Sequence, residues 1–187
     1  KQYRVENVDV AVRSSSTAED MPDASFAGQQ DTYLNVSGID DLLKSIKKCF
    51  ASLFNHRAVS YRNSMGYGDK NVKLSICIQK MVRSDIGSAG VAFSIDGDSG
   101  NPDVVVINGS YGLGEMVVSG QVNPDEFMVY KKKLNNYKPI IDKKLGKKDI
   151  KMVYSDTENT CIIPTSNKDY NSFCLTDDQV LLLSKWV

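Results

Sequence analysis

The run Ile39-Asp-Asp-Leu-Leu-Lys-Ser-Ile-Lys-Lys-Cys-Phe-Ala-Ser-Leu-Phe54 decides the fold class, because its period is unambiguous. Ile39, Leu42, Leu43, Ile46, Cys49, Phe50, Leu53 and Phe54 recur at the spacing of one helix face, while Lys44, Lys47 and Lys48 fall mostly opposite. The spacing predicts an amphipathic helix whose aromatic and Cys positions belong to a core. Ser37-Gly-Ile-Asp40 reads as its start, a capping box with Asp in place of Glu. Downstream, Arg57 to Met65 predicts a second helical segment that stops at Gly66-Tyr-Gly68. The period then switches. Residues 73–81, 90–95, 103–108 and 125–130 are β-branched or apolar runs separated by Gly, Asn, Asp and Pro, and they read as successive strands. A closing helix is expected at Thr176 to Val187. Helices first, strands next and a helix last predict an α+β domain with a mostly antiparallel sheet flanked by helices.

Upstream of the helix lies Val10-Ala-Val-Arg-Ser-Ser-Ser-Thr-Ala-Glu-Asp-Met-Pro-Asp-Ala-Ser-Phe-Ala-Gly-Gln-Gln-Asp-Thr-Tyr-Leu-Asn35. An apolar strand runs into an arginine, then hydroxyl residues, then a small-residue loop with Gly28. Alternation puts Val8, Val10 and Val12 on one face and Asp9, Ala11 and Arg13 on the other. Donors are thereby concentrated at one strand end, as polyphosphate binding requires: a guanidinium fork, neutral hydroxyls and a glycine that lets backbone N–H groups approach an anion. The same residues could form an exposed strand with Arg13 paired to Asp9 and an ordinary Ser/Thr-rich turn, since no Gly-x4-Gly-Lys-Ser/Thr loop is present. A further strand is expected from Gln30 to Val36.

The 187 residues suit one large domain or two small subdomains. Lys+Arg and Asp+Glu are both 23, so no global field draws nucleic acid or an anionic membrane, and a phosphate ligand must be held by local donors. The lysine-rich tract from Lys131 to Lys151 is interleaved with Leu, Ile and Pro and reads as a solvated connector or edge strands. No apolar run reaches the roughly 18 residues of a membrane helix, and the first residues lack a signal-peptide pattern, so a soluble, cytoplasmic protein is expected. Cys49, Cys77, Cys161 and Cys174 lie without zinc-type pairing, and Cys49 and Cys77 fall in apolar patterns that suit reduced core thiols. His56, the single histidine, is expected on a charged helix surface.

Several motifs, in register and covering nearly the whole chain, add to this reading. After the Val10–Asn35 stretch come Cys49-Phe-Ala-Ser-Leu-Phe54, Arg57-Ala-Val-Ser-Tyr-Arg62, Gln79-Lys-Met-Val-Arg-Ser-Asp85, Ser88-Ala-Gly-Val-Ala-Phe-Ser-Ile-Asp96, Tyr111-Gly-Leu-Gly-Glu115 and Val118-Ser-Gly-Gln-Val-Asn-Pro-Asp-Glu-Phe127. Together they resemble the amino-terminal ATP-binding domain of the phosphoenolpyruvate synthase and pyruvate phosphate dikinase family. The resemblance implies an ATP-grasp fold and a single fragment of that domain over residues 1–187. It gives Arg13 the role of the arginine that grips the transferable phosphates, with Ser14 beside it and Gly28 as the loop glycine approaching them. Gln79, Lys80, Met81 and Val82 match the strand and hinge expected to hold adenine, the backbone of Lys80 and Val82 reading the base edge and Met81 packing on its face. Gly90 matches a small-residue turn passing close to the nucleotide. Glu115 matches an acid at the sugar or phosphate region, and Gln121 follows it in the next motif.

The resemblance also implies what lies elsewhere. The family's lysine-bearing glycine-rich segment, its Asp-Met-Glu metal strand and its Gln-Ala-Arg strand have no counterpart here, so the fragment is expected to be truncated at both ends and inactive alone. Mg2+ would be held outside the chain. In the parent, ATP, a phosphocarrier histidine domain and a pyruvate-binding domain are the implied partners, with pyruvate, ATP and water giving phosphoenolpyruvate, AMP and phosphate through a phosphohistidine. A rifampin phosphotransferase shares a similar opening motif, and a noncatalytic nucleotide-binding module is the reading from another class. Arg83-Ser-Asp85 and Asn123-Pro-Asp-Glu-Phe127 favour the synthase.

Overall fold

Alternating apolar residues build the first sheet. In the computed structural model, which describes residues 7–17, 20–21, 24–25, 31–66, 72–134 and 139–187, strand β1 (Val10–Ser16) is central, flanked by β4 (Thr32–Val36) and β5 (Leu74–Lys80), both antiparallel to it. Two short strands, β2 (Asp20–Met21) and β3 (Ala24–Ser25), pair between β1 and β4 in sequence. Val12 faces Tyr33 on one side and Ile78 on the other. Helix α1 (Ile39–Ala51) covers this face, closing a core of Val12, Val36 and Cys49 with Val10, Tyr33, Leu42, Ile46 and Ile76 around it.

The helix is where expected, but its apolar stripe is wider than the sheet it covers. On α1, Ile39 is 65% exposed and Leu43 and Phe50 are exposed too; Phe54, expected on the same helix, lies past its end and is 70% exposed. One helix on three strands buries only the residues pointing straight at the sheet, and Ile39, Leu43 and Phe50 lie on its flank. Its start also differs from the expected capping box. The N-cap is Gly38 at φ 82°, without a side-chain cap, and Asp40 and Asp41 in the first turn complement the helix dipole instead. A 3-10 turn (Ser52–Phe54) leads into α2 (His56–Ser64), capped by Asn55, whose side chain accepts from the Ala58 amide at 2.8 Å. His56 is exposed on it, as expected. Cys77 is a correction: it is exposed, because it lies on the sheet face away from α1.

The chain divides into two units, Lys1–Val82 and Arg83–Val187. In the second, β6 (Ser88–Phe93), β7 (Val104–Tyr111), β8 (Asp125–Tyr130) and β9 (Ile140–Lys144) form an antiparallel sheet in that order. Val104 to Ile107 are all buried, whereas β8 alternates, burying Asp125, Phe127 and Val129. Short α3 (Glu115–Val118) leaves the end of β7. Strands β10 (Ile150–Ser155) and β11 (Asn159–Pro164) make a separate hairpin that periodicity does not announce, followed by the turn-length α4 (Asn167–Tyr170). Helix α5 (Asp177–Trp186) starts in a complete capping box, Thr176 with Gln179, and places Val180 in the core with Val105, Ile107, Phe127 and Val129. The lysine-rich tract is not wholly solvated: Lys148 is fully buried.

Candidate functional site

Arg13 lies one residue past the buried Val12, on the opposite, exposed face of β1. Register places it between Thr32 and Cys77, and its Nη1 donates to Gln79 Oε1 at 3.4 Å. Among the described residues no carboxylate lies within ion-pair distance of this guanidinium, so its fork is not spent on a neighbouring acid. The strand continues to Ser16, so Arg13 lies mid-strand and not at the strand end expected from the sequence; Asp9, its expected alternative partner, is ion-paired to Lys80 Nζ at 3.0 Å. An exposed cation whose side chain has one neutral hydrogen-bond partner among the described residues can accept an anion without breaking a described salt bridge.

The remaining sequence-derived residues of this unit are only partly brought to Arg13. Gln79 is exposed beside it, whereas strand alternation turns Ser14 to the other face, where it pairs across from Ile76 and is half-buried. At the end of β5, Lys80 holds Asp9, the Met81 amide donates to the Asp9 carbonyl at 3.0 Å, and the Met81 side chain is buried. Val82 is 77% exposed. Gly28 lies outside the described residues.

In the second unit Gly90 belongs to strand β6 rather than to a turn. It pairs with Gly109, and an added Cβ would run into the Asn108 carbonyl, so this glycine is required by the close approach of β7. Beside it is a mostly apolar cavity of about 200 Å3, lined among others by Ala89, Val91, Ile107, Leu175 and Leu183. Glu115 is the first residue of α3 and half-buried. Gln121 is exposed and donates to Ser119 Oγ at 3.0 Å, and that hydroxyl donates to the Glu115 carbonyl at 2.7 Å. Among the described residues no group of three or more His, Cys, Asp or Glu side chains gathers to hold a metal ion.

Two constellations were not foreseen as such, although Arg83-Ser-Asp85 and Asn123-Pro-Asp-Glu-Phe127 stand among the motifs. Asp125 and Lys148 form a fully buried ion pair. The Asp125 carboxylate also accepts from the Gly146 amide at 2.8 Å and the Cys174 amide at 2.7 Å. The signal was present in Asp125-x-Phe127-x-Val129, whose alternation aims the acid inward. Burial, reinforced by the Asp125 charge, holds the Cys174 thiol far above its ordinary value and therefore protonated. The second constellation is Arg83 with Asp85, where the guanidinium hydrogen bonds hold a nearly buried carboxyl below the usual carboxylate range against the opposing effect of burial.

Antiparallel sheets with helices, an exposed mid-strand arginine with no carboxylate partner among the described residues, and a glycine-rich turn opening a helix at an acid suit an α+β module that takes an anionic ligand. Comparison with known proteins gives the class directly: residues 1–187 match the family described as pyruvate phosphate dikinase, AMP/ATP-binding domain, and the chain belongs to that family. Its relatives include the phosphoenolpyruvate synthases of Aquifex aeolicus (53% identical over 188 residues), Helicobacter pylori (54% over 190) and Escherichia coli (52% over 185). These alignments cover 100%, 100% and 96% of the chain but only 22%, 23% and 23% of the respective relatives. The chain thus spans less than a quarter of the length of the synthases it matches.

Proposed function

We propose that this chain is the ATP-binding part of a phosphoenolpyruvate synthase, a dikinase that converts ATP, pyruvate and water to phosphoenolpyruvate, AMP and phosphate through a phosphohistidine. The observation that carries the reading is the alignment of the whole chain, at about half identity, with synthases from three distant bacteria. Within it, Arg13 grips the transferable phosphates, supported by its exposure and its lack of a described carboxylate partner. Ser14 and Gly28 are proposed around the phosphates, though Ser14 would have to act from the face opposite Arg13. Gln79, Lys80, Met81 and Val82 take the base, Gly90 the close backbone approach, Glu115 the sugar or phosphate region and Gln121 its neighbourhood. The fold is proposed to be of the ATP-grasp type.

Mg2+ would be held by groups of the parent outside residues 1–187, and it would neutralise and align the phosphates. The residues here then bind and orient ATP. Arg13 donates to phosphate oxygens as charge shifts on them, an interaction stronger in the transition state than in the ground state. The phosphocarrier histidine domain and the pyruvate domain of the same parent would receive the phosphoryl group. The domain is assigned to a cytoplasmic enzyme; no described helix is long and apolar enough to cross a membrane.

Arg13→Lys in the full-length parent tests the assignment. Lysine keeps the charge and loses the planar fork, so turnover should fall by about a hundredfold, roughly 3 kcal/mol of barrier, with the melting temperature unchanged. Turnover within a few-fold of the parent would make Arg13 a surface cation worth under about 1 kcal/mol.

A further inference from the structure

Three segments of the second unit close on one another around β10. Arg83 donates through Nε and Nη2 to the two oxygens of Asp85 at 2.8 and 2.7 Å. The same guanidinium lies 4.5 Å from the centroid of the Tyr154 ring, so residues 83–85 are held to β10 by a cation stacked on an aromatic face. Two residues back along β10, the Met152 carbonyl accepts from the Leu113 amide at 2.9 Å. Completing the ring, the Gly112 amide donates to the Gly87 carbonyl at 3.0 Å. Gly112 has φ 87°, and an added Cβ would stand 2.6 Å from the Met152 carbonyl oxygen, so β10 presses on this loop where no side chain fits. Glu115 follows three residues later as the first residue of α3.

We propose that Arg83, Asp85 and Tyr154 are positioning residues for Glu115. The bidentate pair makes residues 83–85 stiff, the stack ties them to β10, and the Met152 and Gly87 carbonyls transmit that placement to the Gly112–Glu115 loop. Arg83 is 53% exposed at its side chain, so its fork and ring contact serve placement more than burial. The proposal rests on the reading of Glu115 as a nucleotide contact, and the experiment separates the two.

In the full-length parent, ATP affinity by calorimetry and KM and kcat are compared for Tyr154→Ala, Tyr154→Phe, Glu115→Gln and Glu115→Gln/Tyr154→Ala. Tyr154→Ala should weaken ATP about tenfold, seen in KM and not in kcat, and Tyr154→Phe, which keeps the ring, should restore affinity to within about twofold. In the Glu115→Gln background the alanine should add less than about twofold, because the contact being positioned has gone. An equal tenfold loss in both backgrounds would make Tyr154 merely structural and overturn the proposal. Should Glu115→Gln weaken ATP while Tyr154→Ala does not, the proposal falls and the reading of Glu115 stands. Should Glu115→Gln bind ATP like the parent, the reading of Glu115 fails and takes the proposal with it. If Tyr154→Ala does not fold, Arg83→Lys, which keeps the charge but loses the fork and the flat stack, replaces it in the same cycle.

Discussion

Lys148 carries its ammonium into the interior because Asp125 is there to meet it, with the Gly146 carbonyl accepting a second hydrogen bond at 3.0 Å. The carboxylate in turn serves the Gly146 and Cys174 amides, so one side chain joins the start of β8, the β9–β10 connection and the segment before α5. A buried pair contributes little net stability, but breaking it strands a charge in a low-dielectric interior. Lys148→Met should therefore cost about 3–5 kcal/mol in urea unfolding, whereas Asp125→Asn/Lys148→Met, which removes both charges and keeps an acceptor for one amide, should recover most of the loss. A double variant no better than the single one would mean that the amide acceptors, and not the stranded charge, dominate.

At the scale of elements, the 3-10 turn Ser84–Ile86 is held against β10 by chemistry that depends on pH. Arg83 hydrogen bonds depress the Asp85 carboxyl below its unfolded value, so the folded state is favoured by the ionised form. That contribution is present at neutral pH and above the unfolded pKa of about 3.9, and it is lost as pH falls through the lower folded pKa. Asp85→Asn should be less stable than the parent sequence by about 1 kcal/mol at pH 7, modest because Arg83 is half exposed, with the gap closing progressively below about pH 4. Urea midpoints measured across that range check it: a gap independent of pH would show that the carboxylate charge is not what matters.

For the molecule as a whole, the alignment with proteins more than four times its length frames what residues 1–187 can do. With metal ligands and the phosphorylated histidine proposed elsewhere in the parent, residues 1–187 alone should release no AMP when given ATP, Mg2+ and pyruvate. A pyruvate-dependent rate of order 1 per second or more would place the catalytic apparatus inside this chain. Of the two compact units, one contains Arg13 and the other Glu115.

Local chemistry was legible from the residues themselves. The period from Ile39, the alternation through Val12, the apolar runs at 103–108 and 125–130 and the helix expected from Thr176 each became the kind of element they predicted, since periodicity is set by neighbours along the chain. The motifs around Arg13, Gln79 and Glu115 were legible as well, and with them the family. Only the tertiary structure decided which side chains were covered. Cys77 and Ile39 follow apolar patterns yet are exposed, Lys148 sits in a lysine-rich tract yet is buried, and Gly90 is glycine because β7 passes against it. The β10–β11 hairpin, and with it the Tyr154 stack and the Met152 carbonyl at Gly112, likewise came from pairing between distant segments. Periodicity reports which face a residue shares with its neighbours; whether another segment arrives to cover that face depends on contacts far apart in the chain, which no local pattern encodes.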